Sequence, residues 1–189
     1  LPLKSRMTPP ILETPTDPTL AERDLAACIV TDVYHGMDGV ERGDVKYLRV
    51  LEQIPRPWSS RRYWGGDSGW GQQHVVTTRW THLGLKIQHG VVPVEEDGSA
   101  NFYVPAMSNV FFQALDENYR AIQTERTYVN YLPGETRSCV GCHETPQDAA
   151  SAIRRPFVEA LRHEPSLPGP QPGDELGAKV LDFRVTVQP

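Results

Sequence analysis

The 189-residue chain lacks the features that mark two large classes of protein. No run of about 18 apolar residues occurs, which is the length that a membrane-spanning helix needs. Positive charge is also not in excess, since 19 Lys and Arg residues stand against 24 Asp and Glu residues and give a formal net charge of -5. Nucleic-acid-binding domains usually carry a basic surface. We therefore predict neither a membrane span nor a nucleic-acid partner.

Long uninterrupted helical segments are scarce as well. The chain contains 17 prolines and 15 glycines, and both residues interrupt helices. β-Branched and aliphatic runs occur instead, at residues 28–30 and 45–53. Residues 91–104 place Asp-Gly between two such runs, which is a strong hairpin signal, and residues 109–131 repeat the pattern with a longer turn. The sequence thus predicts a mainly β fold, an antiparallel β-sandwich-like domain.

Proline-rich stretches divide the chain into three parts. Residues 1–25 are predicted to be a Pro-rich linker, and residues 26–145 to be the β domain. Residues 146–189 are predicted to hold a short helix and a Pro-rich extension that leads toward a following domain. A helix through about Ile153 is favoured by the Thr145-Pro146 start. Further turns are predicted near 157–163 and a strand near 179–188.

Cysteine is rare, and its distribution is informative. An odd count of three cysteines argues against a disulfide framework. Two of them lie in Cys139-Val140-Gly141-Cys142-His143, a spacing that lets two thiols reach the same edge of a porphyrin with a histidine directly after the second thiol. This CxxCH segment predicts one covalently attached haem c. A redox dithiol would be expected in a βαβ setting, and a zinc site would need a second close pair of ligands; both remain minor alternatives.

The haem iron needs axial ligands, and histidine is a common one. His143 is predicted to be the proximal ligand. For the opposite face we rank His89 first, because it shares strand parity with Ile87, and then His82 and His35. For each of these three a structural or surface role is the alternative.

Cys28 lies more than a hundred residues before the CxxCH segment. A buried free thiol is the commonest fate of such a residue. A metal ligand and a third covalent link near the haem are the other interpretations.

Four segments resemble a known family: Asp32–Gly36, Val45–Val50, Val92–Ala100 and Asn130–Glu144. They are similar to the middle domain of hydrazine synthase alpha-subunit-like proteins, which are large multihaem proteins. The resemblance covers about residues 26–145 and is most specific in the last two segments. It implies that a β-propeller precedes this domain and that a further c-type cytochrome domain follows it.

The resemblance also implies an unusual haem site, from which this sequence departs. In hydrazine synthase a tyrosine four residues after the CxxCH histidine binds the iron, and that histidine binds zinc together with an upstream cysteine. Here that position is Gln147, which favours ordinary ligation by His143. Cys28 is placed suitably for the upstream cysteine, so the resemblance leaves zinc open as a second cofactor.

These observations predict electron transfer by a c-type monohaem domain, within a multihaem protein or assembly. The alternatives are a catalytic haem that acts on small nitrogen compounds and a haem-stacking subunit of an oligomer or filament. Other haem domains or redox proteins are the expected partners. Because haem is attached covalently outside the cytoplasm, we expect a periplasmic or extracellular location.

Overall fold

The computed structural model describes residues 10, 15–54, 86–125, 127–142 and 158–174 of the chain. These residues form a mainly β domain with little helix, as predicted. The elements in chain order are α1 (Pro18–Glu22), β1 (Leu25–Val30), β2 (Tyr47–Gln53), β3 (Lys86–Pro93), β4 (Ala100–Pro105), β5 (Val110–Leu115), β6 (Ala121–Thr124), β7 (Thr136–Cys139) and a 3-10 helix (Glu159–Arg162). The strands make two sheets, with the orders β4-β1-β7 and β3-β2-β5-β6.

The hydrophobic core joins the two sheets. Burial alternates along β4, as expected for a strand with one face on a core. Phe102 of β4 meets Phe112 of β5 edge-to-face, with ring centroids 5.3 Å apart. Leu48 and Val50 of β2 are fully buried in the same cluster. Both sheets therefore bury one face against the other, which is the packing that a sandwich requires.

The smaller sheet is mixed, so the prediction of an antiparallel sandwich is wrong for one strand pair. β1 pairs with β4 antiparallel but with β7 parallel. The parallel register places Val30 beside Cys139 and Cys28 beside Arg137. β7 returns to β1 after the chain has passed through the other sheet, and this long connection permits a parallel pair. The first cysteine of the CxxCH segment thereby lies at the end of β1.

The predicted hairpin over residues 91–104 is also wrong. A tight turn does occur there, with Gly98 at φ +85° and its N–H donating to the carbonyl of Glu95 at 2.9 Å. However, β3 pairs with β2 and β4 pairs with β1, so this turn carries the chain from one sheet to the other. The hairpin predicted over residues 109–131 is confirmed, since β5 and β6 pair antiparallel.

The end of the predicted N-terminal linker is structured. Asp17 caps α1 by accepting hydrogen bonds from the backbone N–H groups of Thr19 and Leu20. Leu20 is buried, and the N–H of Asp17 donates to the carbonyl of Gly134 at 2.9 Å. An Asp before Pro at the first helical turn is a recognisable N-cap signal. The interpretation of residues 1–25 as linker therefore does not hold for residues 17–25.

Residues 158–174 cross the edges of both sheets. Ser166 bridges to Phe102 in one sheet, and Gly169 bridges to Val91 in the other. The 3-10 helix confirms the turns predicted near 157–163. The predicted helix from Thr145 and the predicted strand near 179–188 lie outside the described residues. Among the helices of the described ranges, none has the length and apolar character to cross a membrane.

Candidate functional site

The CxxCH segment is held against the end of β1 by backbone hydrogen bonds. The N–H of Thr31 donates to the carbonyl of Cys139 at 3.0 Å, and the N–H of Asp32 donates to the carbonyl of Val140 at 3.0 Å. The hydroxyl of Thr31 donates to the same Val140 carbonyl at 2.9 Å. The sheet and the turn after β1 thus fix the backbone of the segment at its first two residues, Cys139 and Val140.

Gly141 allows this segment to pack against the turn that follows β1. A Cβ atom added at Gly141 would lie 2.5 Å from the carbonyl oxygen of His35 and 2.6 Å from the Cβ of His35. Any larger residue would therefore collide with that turn. The approach places His35 next to the CxxCH segment.

Asp32 fixes the turn that carries His35. It is 5% exposed, and its Oδ1 accepts a hydrogen bond from the N–H of Tyr34 at 3.2 Å. Its Oδ2 pairs with the guanidinium of Arg42, and this hydrogen bond raises the pKa of Arg42. A buried carboxylate is stable only with such partners. Asp32 and Arg42 therefore support the turn on which the CxxCH segment rests.

A cavity of about 230 Å³ lies beside the two cysteines of the CxxCH segment. Its walls come from both sheets, from β7 and from the segment after β6. The lining residues are Val30, Leu48, Phe112, Ala114, Gln123, Glu125, Thr127, Val129, Cys139, Gly141 and Cys142. The cavity is therefore mainly apolar, with the two thiols on its wall and a few polar groups at one side.

Cys28 lies in the core next to the first of these thiols. It is fully buried, and the hydroxyl of Tyr131 donates to its sulfur at 3.2 Å. A hydrogen bond with Cys139 and burial together raise the pKa of Cys28 well above its usual value. Cys28 is therefore a neutral thiol packed against the candidate site. Within the described ranges, no group of three His, Cys, Asp or Glu side chains is arranged to hold a metal ion.

Burial also keeps the second CxxCH thiol protonated. It raises the pKa of Cys142 to about 12, and the nearby carboxylate of Glu125 adds to this effect. A cysteine of this kind is a weak nucleophile and a poor redox thiol at neutral pH.

Glu125 is a cavity residue that sequence reasoning missed. It is partly buried, its Oε2 accepts a hydrogen bond from the N–H of Phe112 at 3.1 Å, and its own N–H donates to the carbonyl of Phe112 at 2.9 Å. Burial raises the pKa of Glu125 to about 7, although the hydrogen bond from Phe112 opposes the rise. No local sequence signal marks this residue, because its position depends on how β6 ends over the cavity.

The structure separates the histidines predicted as axial ligands. His35 lies next to Gly141, whereas Nε2 of His89 is 2.8 Å from the carboxylate of Glu52. The β2–β3 register shifts at His89, because Val50 pairs with Gly90 and Leu51 with Gln88. This bulge breaks the strand parity on which His89 was ranked first.

Neither His35 nor His89 is among the described residues that line the cavity. His82 and His143 lie outside the described residues. The ligand assignments therefore stay predictions.

Comparisons with known proteins agree with the resemblance noted in the sequence. The family model described as the hydrazine synthase alpha subunit middle domain matches residues 43–144. A solved structure of Kuenenia stuttgartiensis hydrazine synthase matches the chain with a TM-score of 0.53 and 21% sequence identity. That match covers 74% of this chain but only 20% of the hydrazine synthase chain. No curated protein matches. The chain belongs to the hydrazine synthase alpha subunit middle domain family.

Proposed function

We propose that this chain is a c-type monohaem domain that transfers electrons. Cys139 and Cys142 would hold the haem through thioether bonds, and His143 would be its proximal ligand. The observation that carries the proposal is that both cysteines lie on the wall of one cavity between the two sheets. A bound haem would supply one-electron redox chemistry there.

The residues of the cavity suit such a group. Its apolar walls, among them Leu48, Phe112 and Ala114, would contact the porphyrin edge that the two cysteines hold, because a cavity of about 230 Å³ has room for only part of a haem. The N–H groups of Thr31 and Asp32 hold the backbone of Cys139 and Val140, so the start of the CxxCH segment is fixed beside the cavity before attachment. This pre-organisation supports covalent attachment at the cavity.

A second protein ligand would make the domain an electron carrier, because a six-coordinate iron has no open position for a substrate. His35, His82 and His89 remain the candidates. Among the described candidates, His35 lies beside the CxxCH segment, so we now place it before His89. Gln147 stands at the position of the iron-binding tyrosine of hydrazine synthase, and this difference supports ordinary ligation of the iron by His143.

Zinc at Cys28 stays a prediction and would need ligands beyond those that the described residues bring together.

Catalysis on a small nitrogen compound is a second candidate of comparable weight. It is favoured by membership of the hydrazine synthase family. It is also favoured by Glu125, which puts an acid–base group on the wall of the cavity. In this case the iron would keep one position open for the substrate.

We further propose that the domain works outside the cytoplasm, where haem is attached covalently. Its partners would be neighbouring haem domains or redox proteins. Assembly into a homo-oligomer or filament with stacked haems remains the third proposal for its role. The domain corresponds to a fifth of the hydrazine synthase chain that it matches. We therefore propose that some of these partner domains belong to the same polypeptide.

Absorption and electron paramagnetic resonance spectra of the haem-loaded protein test these two candidates. Electron transfer predicts a low-spin, six-coordinate haem in both oxidation states that does not bind carbon monoxide. A five-coordinate, high-spin haem that binds carbon monoxide readily would overturn electron transfer and support catalysis.

Single substitutions His35→Ala, His82→Ala and His89→Ala would identify the second ligand. Only the ligand's removal should convert the spectrum to high spin. The exposed His163 provides the matched control, since His163→Ala should leave the spectrum unchanged.

A further inference from the structure

The cavity beside the CxxCH segment contains a carboxyl group that no basic side chain of the described residues balances. Glu125 belongs to no ion pair with a basic side chain of the described residues, and its only described side-chain hydrogen bond is the one from the N–H of Phe112. The negative charge of Glu125 contributes to the raised pKa of Cys28 of β1, Cys142 of the CxxCH segment and Tyr131, so these titratable groups lie close enough to interact with it. The proton on Glu125 is therefore sensitive to any change of charge in the cavity.

The titratable groups beside Glu125 do not bind and release a proton near neutral pH. A hydrogen bond with Cys139 and burial raise the pKa of Cys28, and burial raises the pKa of Tyr131, so both groups stay protonated. Cys142 is also protonated, and a sulfur that becomes a thioether has no proton to exchange. Glu125 is different, since burial moves the pKa of this carboxyl to about 7.

We propose that Glu125 binds and releases a proton in step with the redox change of the group held in this cavity. The idea rests on the proposed function, since it needs a redox group beside Cys139 and Cys142. One electron from an external donor enters the cavity, and one proton from water joins the Glu125 carboxylate. On oxidation the electron leaves to an acceptor and the proton returns to water, so charge and atoms balance.

The direction of the effect follows from electrostatics. An added electron makes the cavity more negative, which favours the neutral carboxylic acid over the carboxylate. Reduction therefore becomes easier when protons are plentiful and harder as the pH rises. A carboxyl group that lines the cavity is coupled more strongly than one in bulk water, because the apolar walls screen the charges poorly.

Potentiometric titration of the haem-loaded protein from about pH 5 to about pH 9 tests the proposal. We expect the midpoint potential of the natural sequence to fall as pH rises through the neutral range. Glu125→Gln should remove most of this slope, whereas Glu125→Asp should retain it because it keeps a carboxyl group. Glu117 is exposed on the turn between β5 and β6, so Glu117→Gln is the matched control and should behave like the natural sequence.

The glutamine variant should fold, because its amide oxygen can still accept the hydrogen bond from the N–H of Phe112. Redox-difference infrared spectra provide a second measurement on the natural sequence, in which a protonated carboxyl band should grow on reduction. The same pH slope in Glu125→Gln and the natural sequence, or no such band, would overturn the role of Glu125 and leave the haem proposal intact. A colourless protein would overturn both.

Discussion

At the scale of single residues, burial favours the neutral form of several polar side chains in and beside the site. Tyr131 is 1% exposed and uses its hydroxyl to contact the sulfur of Cys28. Glu125 lines the cavity and forms no ion pair with a basic side chain of the described residues. Neutral groups cost less to bury than charged ones, so these residues can line an apolar space. Their protonation is therefore part of how the domain is held together.

Tyr131→Phe tests the contact with Cys28. The variant removes the hydroxyl but keeps the ring in the core, so the free energy of unfolding should fall by about 1 kcal/mol, the usual net value of one hydrogen bond. Urea denaturation measures this difference. Tyr128 is 42% exposed, and Tyr128→Phe should be nearly neutral. Equal effects of the two substitutions would contradict a specific role for the buried hydroxyl.

Glu125 also predicts a pH dependence of stability in the haem-free chain. Its pKa is about 7 when folded against an ordinary value of 4.5, so the folded chain binds the proton more tightly. The stabilisation from this proton is fully present below pH 4.5 and is lost as pH rises toward 7. Relative to Glu125→Gln, the natural sequence should lose about 3 kcal/mol across this range.

Chemical denaturation at several pH values measures that loss, with Glu117→Gln as the control for an exposed carboxylate. A difference between the natural sequence and Glu125→Gln that does not vary with pH would show that the carboxyl has an ordinary pKa.

At the scale of elements, the site depends on how closely the CxxCH segment approaches the turn after β1. Gly141→Ala would force its Cβ against His35 and shift one of the two segments. We expect a loss of about 1–3 kcal/mol in stability, as for other overpacked sites, and a lower yield of haem-loaded protein. An added Cβ at Gly169 meets nothing within 4 Å, so Gly169→Ala is the matched control. Normal haem loading in Gly141→Ala would contradict this account of the packing.

Local sequence patterns predicted several of the strands, although not β7, and did not predict which strands pair. β1 and β2 and the β5–β6 hairpin lie where β-rich runs and turn residues indicated them. The Asp97-Gly98 turn was recognised, yet a turn signal specifies only the local backbone and not which sheet the next strand joins. The parallel pairing of β7 with β1 depends on a contact between distant segments. Such pairings are set by tertiary packing, which local patterns do not contain.

The same distinction applies to the site. The spacing of Cys139 and Cys142 is a local signal, and the sequence alone singled them out. Glu125 acquires its character from the cavity and carries no motif of its own. His89 was ranked from strand parity, which a bulge in β3 interrupts. Sequence patterns therefore did not predict the properties that arise from burial or from irregular strand pairing.

At the scale of the whole molecule, the two sheets, the CxxCH segment and the strap of residues 158–174 form a single scaffold around the cavity. The strap pairs with Phe102 in one sheet and Val91 in the other, so it ties the sheets together at their edges. The cavity lies where β5, the segment after β6 and the CxxCH segment meet. This arrangement is the scaffold that the present member of the hydrazine synthase alpha subunit middle domain family offers to the haem proposed above.

The intact mass of the chain, secreted from a host with a haem maturation pathway, tests the central claim most directly. The account predicts a coloured protein whose mass exceeds that of the bare polypeptide by one haem and keeps that excess after denaturation. A double variant, Cys139→Ser with Cys142→Ser, should have the bare mass, whereas Cys28→Ser should still gain one haem. A natural sequence that emerges colourless with the mass of the bare polypeptide would contradict the account.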